Sequence, residues 1–379
     1  MTEPHRAPPV MAVVDGAGAP HHPRREDPQR PAAPPAAAVP PGKAEPISCT
    51  PDQGFAEYMA GCGGSIAITT YQAGRLFLIG WKDQRVTVLG RGFGKPMGMD
   101  YDVQRQRLAL ATQHHLWVFD NAPALARMQG RDALFLPRCT FPADGLYLHD
   151  VGFAGDDLCV INTRWSVLNW VRESGDTARR WRPSWVTQDA PEDRCHLNGL
   201  AVVDGHARYI TALGETDTRE GWREGRRAGG IVADVEGGHI LARGLCMPHS
   251  PRWHRGLLWA LNSGEGALVQ ISDGQARPVC HVQGFARGLC FDRHYALIGL
   301  SGIRETNVFG GLPVHRRWPE LQCGVAVVDL RSGTQVGFLR FTSGCHELYD
   351  VHFLPGMRNA NILPLQSAAP AYPALGPMK

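Results

Sequence analysis

No stretch of 18 or more apolar residues occurs in the 379-residue chain, so no segment qualifies as a membrane-spanning helix. Charge is sparse and nearly balanced. One residue in five is charged and the formal net charge is +3, which leaves no electrostatic footprint for nucleic acid or an anionic membrane surface. The ten cysteines include no CxxC pair. The start, Met1-Thr2-Glu3-Pro4-His5, lacks a basic region followed by an apolar one. Both features predict reduced thiols in a cytoplasmic protein without a secretory signal. There is no G-x-S-x-G, Walker A, H-E-x-x-H or EF-hand loop. Any function must therefore rest on residues dispersed along the chain.

What is abundant is turn chemistry, with 44 glycines and 29 prolines. Residues 1–45 are rich in Pro, Ala, Arg and His, and 367–379 resemble them. Such segments bury too little apolar surface to offset their ordering entropy, and both are expected to be disordered tails. Between them, in 46–366, a pattern recurs. Met97, His149, Asn198, His249, Arg287 and Tyr349 open successive short strands at steps of 52, 49, 51, 38 and 62 residues. Each of the first five is followed by a turn and an apolar strand, such as Arg107–Ala111 or Leu257–Leu261. A period of about 40–50 residues built of short strands is the signature of propeller blades. The sixth repeat stops early, while strands at Ser65–Thr69, Arg75–Ile79 and Val86–Leu89 precede the first one. Joining the two ends gives an all-β, six-bladed β-propeller, its ring closed by N-terminal strands that complete the C-terminal blade.

In a blade the first strand lines the channel, so the strand-opening residues converge at one mouth. His149, His196, His249 and His346 lie near these openings, and convergent imidazoles are a donor set for iron, copper, zinc or manganese. They are the candidate ligands of a divalent transition metal. For any one histidine, hydrogen bonding to channel water or a loop is the ordinary role. Arg252, Arg287 and Arg304 offer forks to an anionic substrate, with Asn198, Asn262 and Trp222 as further substrate contacts. Tyr349 and Glu347 are the candidate proton movers. Long connections from Gly214 to about 228 and from Ser301 to about 322 carry Trp222 and Phe309, and a lid over the mouth is expected from them. In Cys195-His196 and Cys345-His346 strand alternation sends the histidine toward the channel and the cysteine into the packing.

The segments Ile210-Thr211-Ala212-Leu213-Gly214-Glu215-Thr216-Asp217, Leu261-Asn262-Ser263-Gly264 and Gly299-Leu300-Ser301-Gly302-Ile303-Arg304-Glu305, then Gly311-Leu312-Pro313, resemble a bacterial family of conserved hypothetical propeller-like proteins. That resemblance spans roughly residues 50 to 365 and implies a fold without a mechanism. In architecture the chain is also similar to gluconolactonase-like and strictosidine-synthase-like six-bladed propellers, which hold a divalent metal through Glu, Asn and Asp. The ring here is richer in His and Arg, which departs from that chemistry. The leading reading is a metal-dependent redox or hydrolytic enzyme acting on an anionic small molecule or peptide. The alternatives are a non-catalytic propeller that binds a protein or peptide partner, and metal-free binding of a small anion by the arginine face.

Overall fold

The computed structural model describes residues 45–302 and 310–363, with the side chains of 177–179 excepted. Apart from Glu45, both expected tails fall outside that range. Within it the strands form six sheets, four of them four-stranded and two five-stranded, arranged as a six-bladed β-propeller. Blade one comprises Met99–Asp102, Arg107–Ala111, His115–Asn121 and Ala133–Pro142. Blade two comprises Leu148–Ala154, Asp157–Asn162, Val167–Val171 and Thr177–Trp181, and blade three Leu197–Val203, His206–Ala212, Gly230–Asp234 and Ile240–Leu245. Blade four runs Pro248–His254, Leu257–Asn262, Ala267–Ser272 and Gln275–His281, and blade five Phe285–Asp292, Tyr295–Ser301, Gly324–Asp329 and Thr334–Ser343.

Blade six is composite. Its inner strand, Asp350–Pro355, pairs antiparallel with Gly64–Thr70 from Thr69↔Asp350 to Gly64↔Pro355, and Arg75–Lys82 and Arg85–Gly92 complete it. The closure expected from the two half-repeats is the one observed. Two further strands had no periodic signal to betray them. Ser48–Pro51 adds antiparallel to the outer strand of blade five, and Ala360–Ile362 adds parallel to the outer strand of blade one. The chain therefore overlaps both neighbours of the composite blade, which fastens the seam.

One helix, Gln53–Cys62, sits between blades five and six. The Asp52 carboxylate caps it by accepting from Phe55 N at 2.7 Å, and Gly63 ends it at φ 74°. Phe55, Tyr58, Met59 and Cys62 recur at helical spacing and are buried with Ile66, Phe77, Val325 and Leu339. The helix approaches the sheet so closely that a Cβ on Gly54 would lie 1.9 Å from the Val336 carbonyl oxygen. Trp170 and Trp259, on the third strand of blade two and the second of blade four, are buried between blades.

The inner strands are latched to one another by polar side chains. The carboxylates of Asp100, Asp150 and Asp350 accept backbone N–H groups of Phe153, Leu200 and Met99, each on the next blade, at 2.8–3.0 Å. Ser250 accepts from Gly288 N at 3.1 Å, and the Asn198 amide donates to the Pro248 carbonyl at 3.1 Å. Between blades five and six the Ser301 hydroxyl accepts from Leu348 N and donates to the Leu348 carbonyl. Because these latches use residues beside the strand-opening positions, they also fix where those positions aim.

Candidate functional site at the channel mouth

The strand-opening ends converge as the repeat phase predicts. In blades one to four the residue two positions before the opening residue (Lys95, Tyr147, His196 and Met247) has φ between 48° and 55°. Left-handed backbone at a non-glycine costs about 1–3 kcal/mol and persists only where the surroundings enforce it. The kink has a local use. It turns the Tyr147 carbonyl onto His149 Nδ1 at 3.0 Å and the Met247 carbonyl onto His249 Nδ1 at 2.9 Å. A carbonyl only accepts, so each Nδ1 carries the proton and each Nε2 keeps its lone pair. His196 is pinned differently, by Asp193 Oδ2 at 2.8 Å from its Nδ1.

These imidazoles form one cluster. The rings of His149 and His196 meet edge-on at 4.9 Å, and His149 meets Tyr349 at 6.0 Å. His249 packs against Phe285 at 5.8 Å and shares its Nδ1 with Ser263 Oγ at 3.0 Å. The Arg287 guanidinium lies over the Tyr349 ring, 3.9 Å from its centroid. Burial holds the His149 and His249 pKa values well below the ordinary imidazole range, and Arg287 and the neighbouring imidazoles lower them further. Both are neutral at pH 7. Burial likewise raises the Tyr349 phenol, which keeps its proton, and its hydroxyl has no hydrogen-bond partner. Among the described residues Arg287 makes no ion pair, and its Nε is buried without a partner.

Several expected site residues are employed elsewhere. Asn198 donates to Pro248 and accepts from Thr211 at 2.7 Å, so its amide is spent on the blade latch rather than on a substrate. Asn262 accepts from Cys246 N at 2.7 Å, on the connection between Ile240–Leu245 and Pro248–His254. Arg252 does not reach the mouth. Its guanidinium is inside the channel, 3.4 Å from Asp150 and 3.3 Å from Asp350. His346 stands apart from the other three histidines, with Nε2 4.0 Å from a Glu45 oxygen and its backbone N on Gln72. Trp222 is buried, donating to Asp193 at 3.1 Å, with its ring between His196 at 4.4 Å and Arg223 at 4.6 Å. It backs His196 and offers no open face. Glu347 is partly buried, and its carboxylate has no hydrogen bond among the described residues. Arg304 and Phe309 lie outside the described residues. The two long loops do meet, since Trp222 packs with Leu312 and Val314. Cys195 and Cys345 are buried in the packing as expected, but both pairs precede their strands rather than lie on them, and only His196 of the two histidines joins the cluster.

The expected metal set does not assemble as drawn. Among the described residues no group of three or more His, Cys, Asp or Glu side chains is placed to hold an ion. A guanidinium also shares the histidine cluster, and its charge opposes a second cation. Sequence reasoning passed over Asp193, which orients His196 and Trp222. Its signal was weak, three residues before the histidine in a turn.

Among known proteins, a family described as "Domain of unknown function (DUF4915)" matches residues 53–363. No curated protein matches the sequence. Of solved structures, a chain of a nidogen–laminin complex is 9% identical over 77% of this chain and 98% of its own, with a TM-score of 0.50. A protein of unknown function from Bacteroides caccae is 10% identical over the same shares, at 0.49. Virginiamycin B lyase from Staphylococcus aureus is 12% identical over 71% of this chain and 74% of its own, at 0.39. At such identities the likeness concerns the fold alone.

Proposed function

The chain belongs to the DUF4915 family, and we propose that its channel mouth is an acid–base active site for a small anionic molecule. One observation carries this reading: among the described residues Arg287 presents a guanidinium without a carboxylate partner beside three oriented imidazoles. A partly buried, unpaired cation is costly, and a carboxylate or phosphate supplies the missing charge through two parallel hydrogen bonds. His149 and His249 present unprotonated Nε2 atoms and act as bases toward the bound anion. The proton taken by either imidazole leaves Nδ1–H on its carbonyl, so the ring keeps its orientation. The Tyr349 hydroxyl, protonated and unpartnered, donates to an oxyanion as it develops.

No step is assigned to a transition metal, because the donor set does not fit one. The substrate is a small acid or the carboxylate end of a peptide, since Arg287 recognises the charge and not the rest of the molecule. The test is to incubate the full chain with a panel of carboxylates and phosphate esters in heavy water and follow exchange and turnover by proton NMR. The reading expects at least one compound to react, and the reaction to vanish in His149→Gln and His249→Gln. Binding without turnover would instead make the mouth a ligand- or partner-binding module. Turnover that tracks stoichiometric iron, copper, zinc or manganese, lost from a His149→Ala, His249→Ala variant, would restore the metal.

A further inference from the structure

The other end of the channel holds a cleft of about 530 Å³, within the range of small-molecule sites. None of the mouth residues lines it. Its walls include Asp100, Phe153, Val202, Arg252, Trp253 and His352, from the far halves of the inner strands and the turns that follow them.

Carboxyl groups outnumber guanidinium groups there among the described residues. Asp100 lines the cleft, Asp150 and Asp350 lie deeper in the channel where Arg252 bridges them, and burial raises the pKa of all three carboxyls. Asp100 accepts the N–H groups of Tyr101 and Phe153 at 2.9 and 2.8 Å and forms no ion pair among the described residues. His352 adds no positive charge. Burial lowers its pKa to about 4, and its Nε2 is buried without a hydrogen-bond partner, 3.8 Å from an Asp350 oxygen. At the rim, Arg105 is taken up by Asp102 and Asp156. The lip carries Trp253, 41% exposed, its ring 5.7 Å from Tyr209. A carboxyl group without an ion pair and an exposed aromatic ring, lining one cleft, suit a cation with an apolar body.

We propose that this cleft binds a small organic cation bearing a primary ammonium or guanidinium group, with Asp100 as its counter-ion and Trp253 over its hydrocarbon portion. A bare metal ion fits poorly. No described group of three acidic, His or Cys side chains is placed to hold an ion. The cleft's chemistry is independent of the mouth, so either proposal stands if the other fails.

The experiment is calorimetric titration of agmatine and of tyramine into the full chain. The expected result is saturable binding of at least one amine, weakened about tenfold or more in Asp100→Asn and several-fold in Trp253→Ala. Because Asp100 also latches Phe153, thermal melts check that Asp100→Asn folds, and the exposed Trp253→Ala carries the test where it does not. Citrate is titrated into the same samples, so mouth and cleft are read separately. Absence of binding by both amines, or affinity unchanged in the folded variants, overturns the proposal.

Discussion

Two arginines divide the channel into halves of opposite character. Arg252 bridges Asp150 and Asp350 in the interior, whereas Arg287 at the mouth lies over Tyr349 with no carboxylate partner among the described residues. The first half has more carboxylates than cations, and the second has a cation and three imidazoles. The same repeat position thus serves two ends. Its latch residues hold the blades together, and the residues just before them point outward. A buried ion that is paired contributes to the fold, while one left unpaired costs stability and signals a ligand.

The largest effect expected from breaking this contrast is on stability. Arg252→Met leaves Asp150 and Asp350 facing each other without a cation, and should lower the unfolding free energy by about 3–5 kcal/mol in urea titrations. Arg287→Gln should change it by no more than about 1 kcal/mol, since no partner is orphaned. Equal losses from both would erase the distinction between the two arginines.

pH sharpens the comparison next, because the two halves respond with opposite sign. Burial, opposed by Arg252 and reinforced by Asp350, pushes Asp150 up to about 7. A carboxyl raised in the fold binds more protons there than in the unfolded chain, so its stabilisation declines as pH climbs from about 4 through 7. His149 and His249 are lowered, so their contribution is present above the ordinary imidazole pKa of about 6.5 and fades as pH falls below it. Urea unfolding at pH 5, 6.5 and 8 should show Asp150→Asn losing less stability between the lower and higher pH than the parent. His149→Gln should lose less on acidification. A Tyr349→Phe variant tests the smallest term. Removing a buried hydroxyl that has no partner should leave stability unchanged or raise it by up to about 1 kcal/mol, read as a melting-temperature shift.

The repeat made the ring, its composite sixth blade and the gathering of His149, His196, His249, Arg287 and Tyr349 legible in the sequence, because period and strand alternation set which residues open each inner strand. Chemistry within that set was less visible. Asn198 and Asn262 have the same polar composition as substrate contacts, yet local backbone groups claim them first. Arg252 reads like Arg287 on paper, but it follows the strand opening by three residues and descends into the channel. The short outer strands Ser48–Pro51 and Ala360–Ile362 left no trace, since three or four residues cannot establish a period. The kinks at Tyr147 and Met247, which orient two of the imidazoles, carry no glycine to advertise them.

The most direct measurement is calorimetric titration of citrate into the full-length protein and its Arg287→Gln variant at pH 7. An anion-accepting mouth predicts saturable binding with one ligand per chain, weakened by a factor of about 10 or more when the guanidinium is removed. Equal affinity in the two proteins, or no binding by citrate and by inorganic phosphate alike, would contradict it.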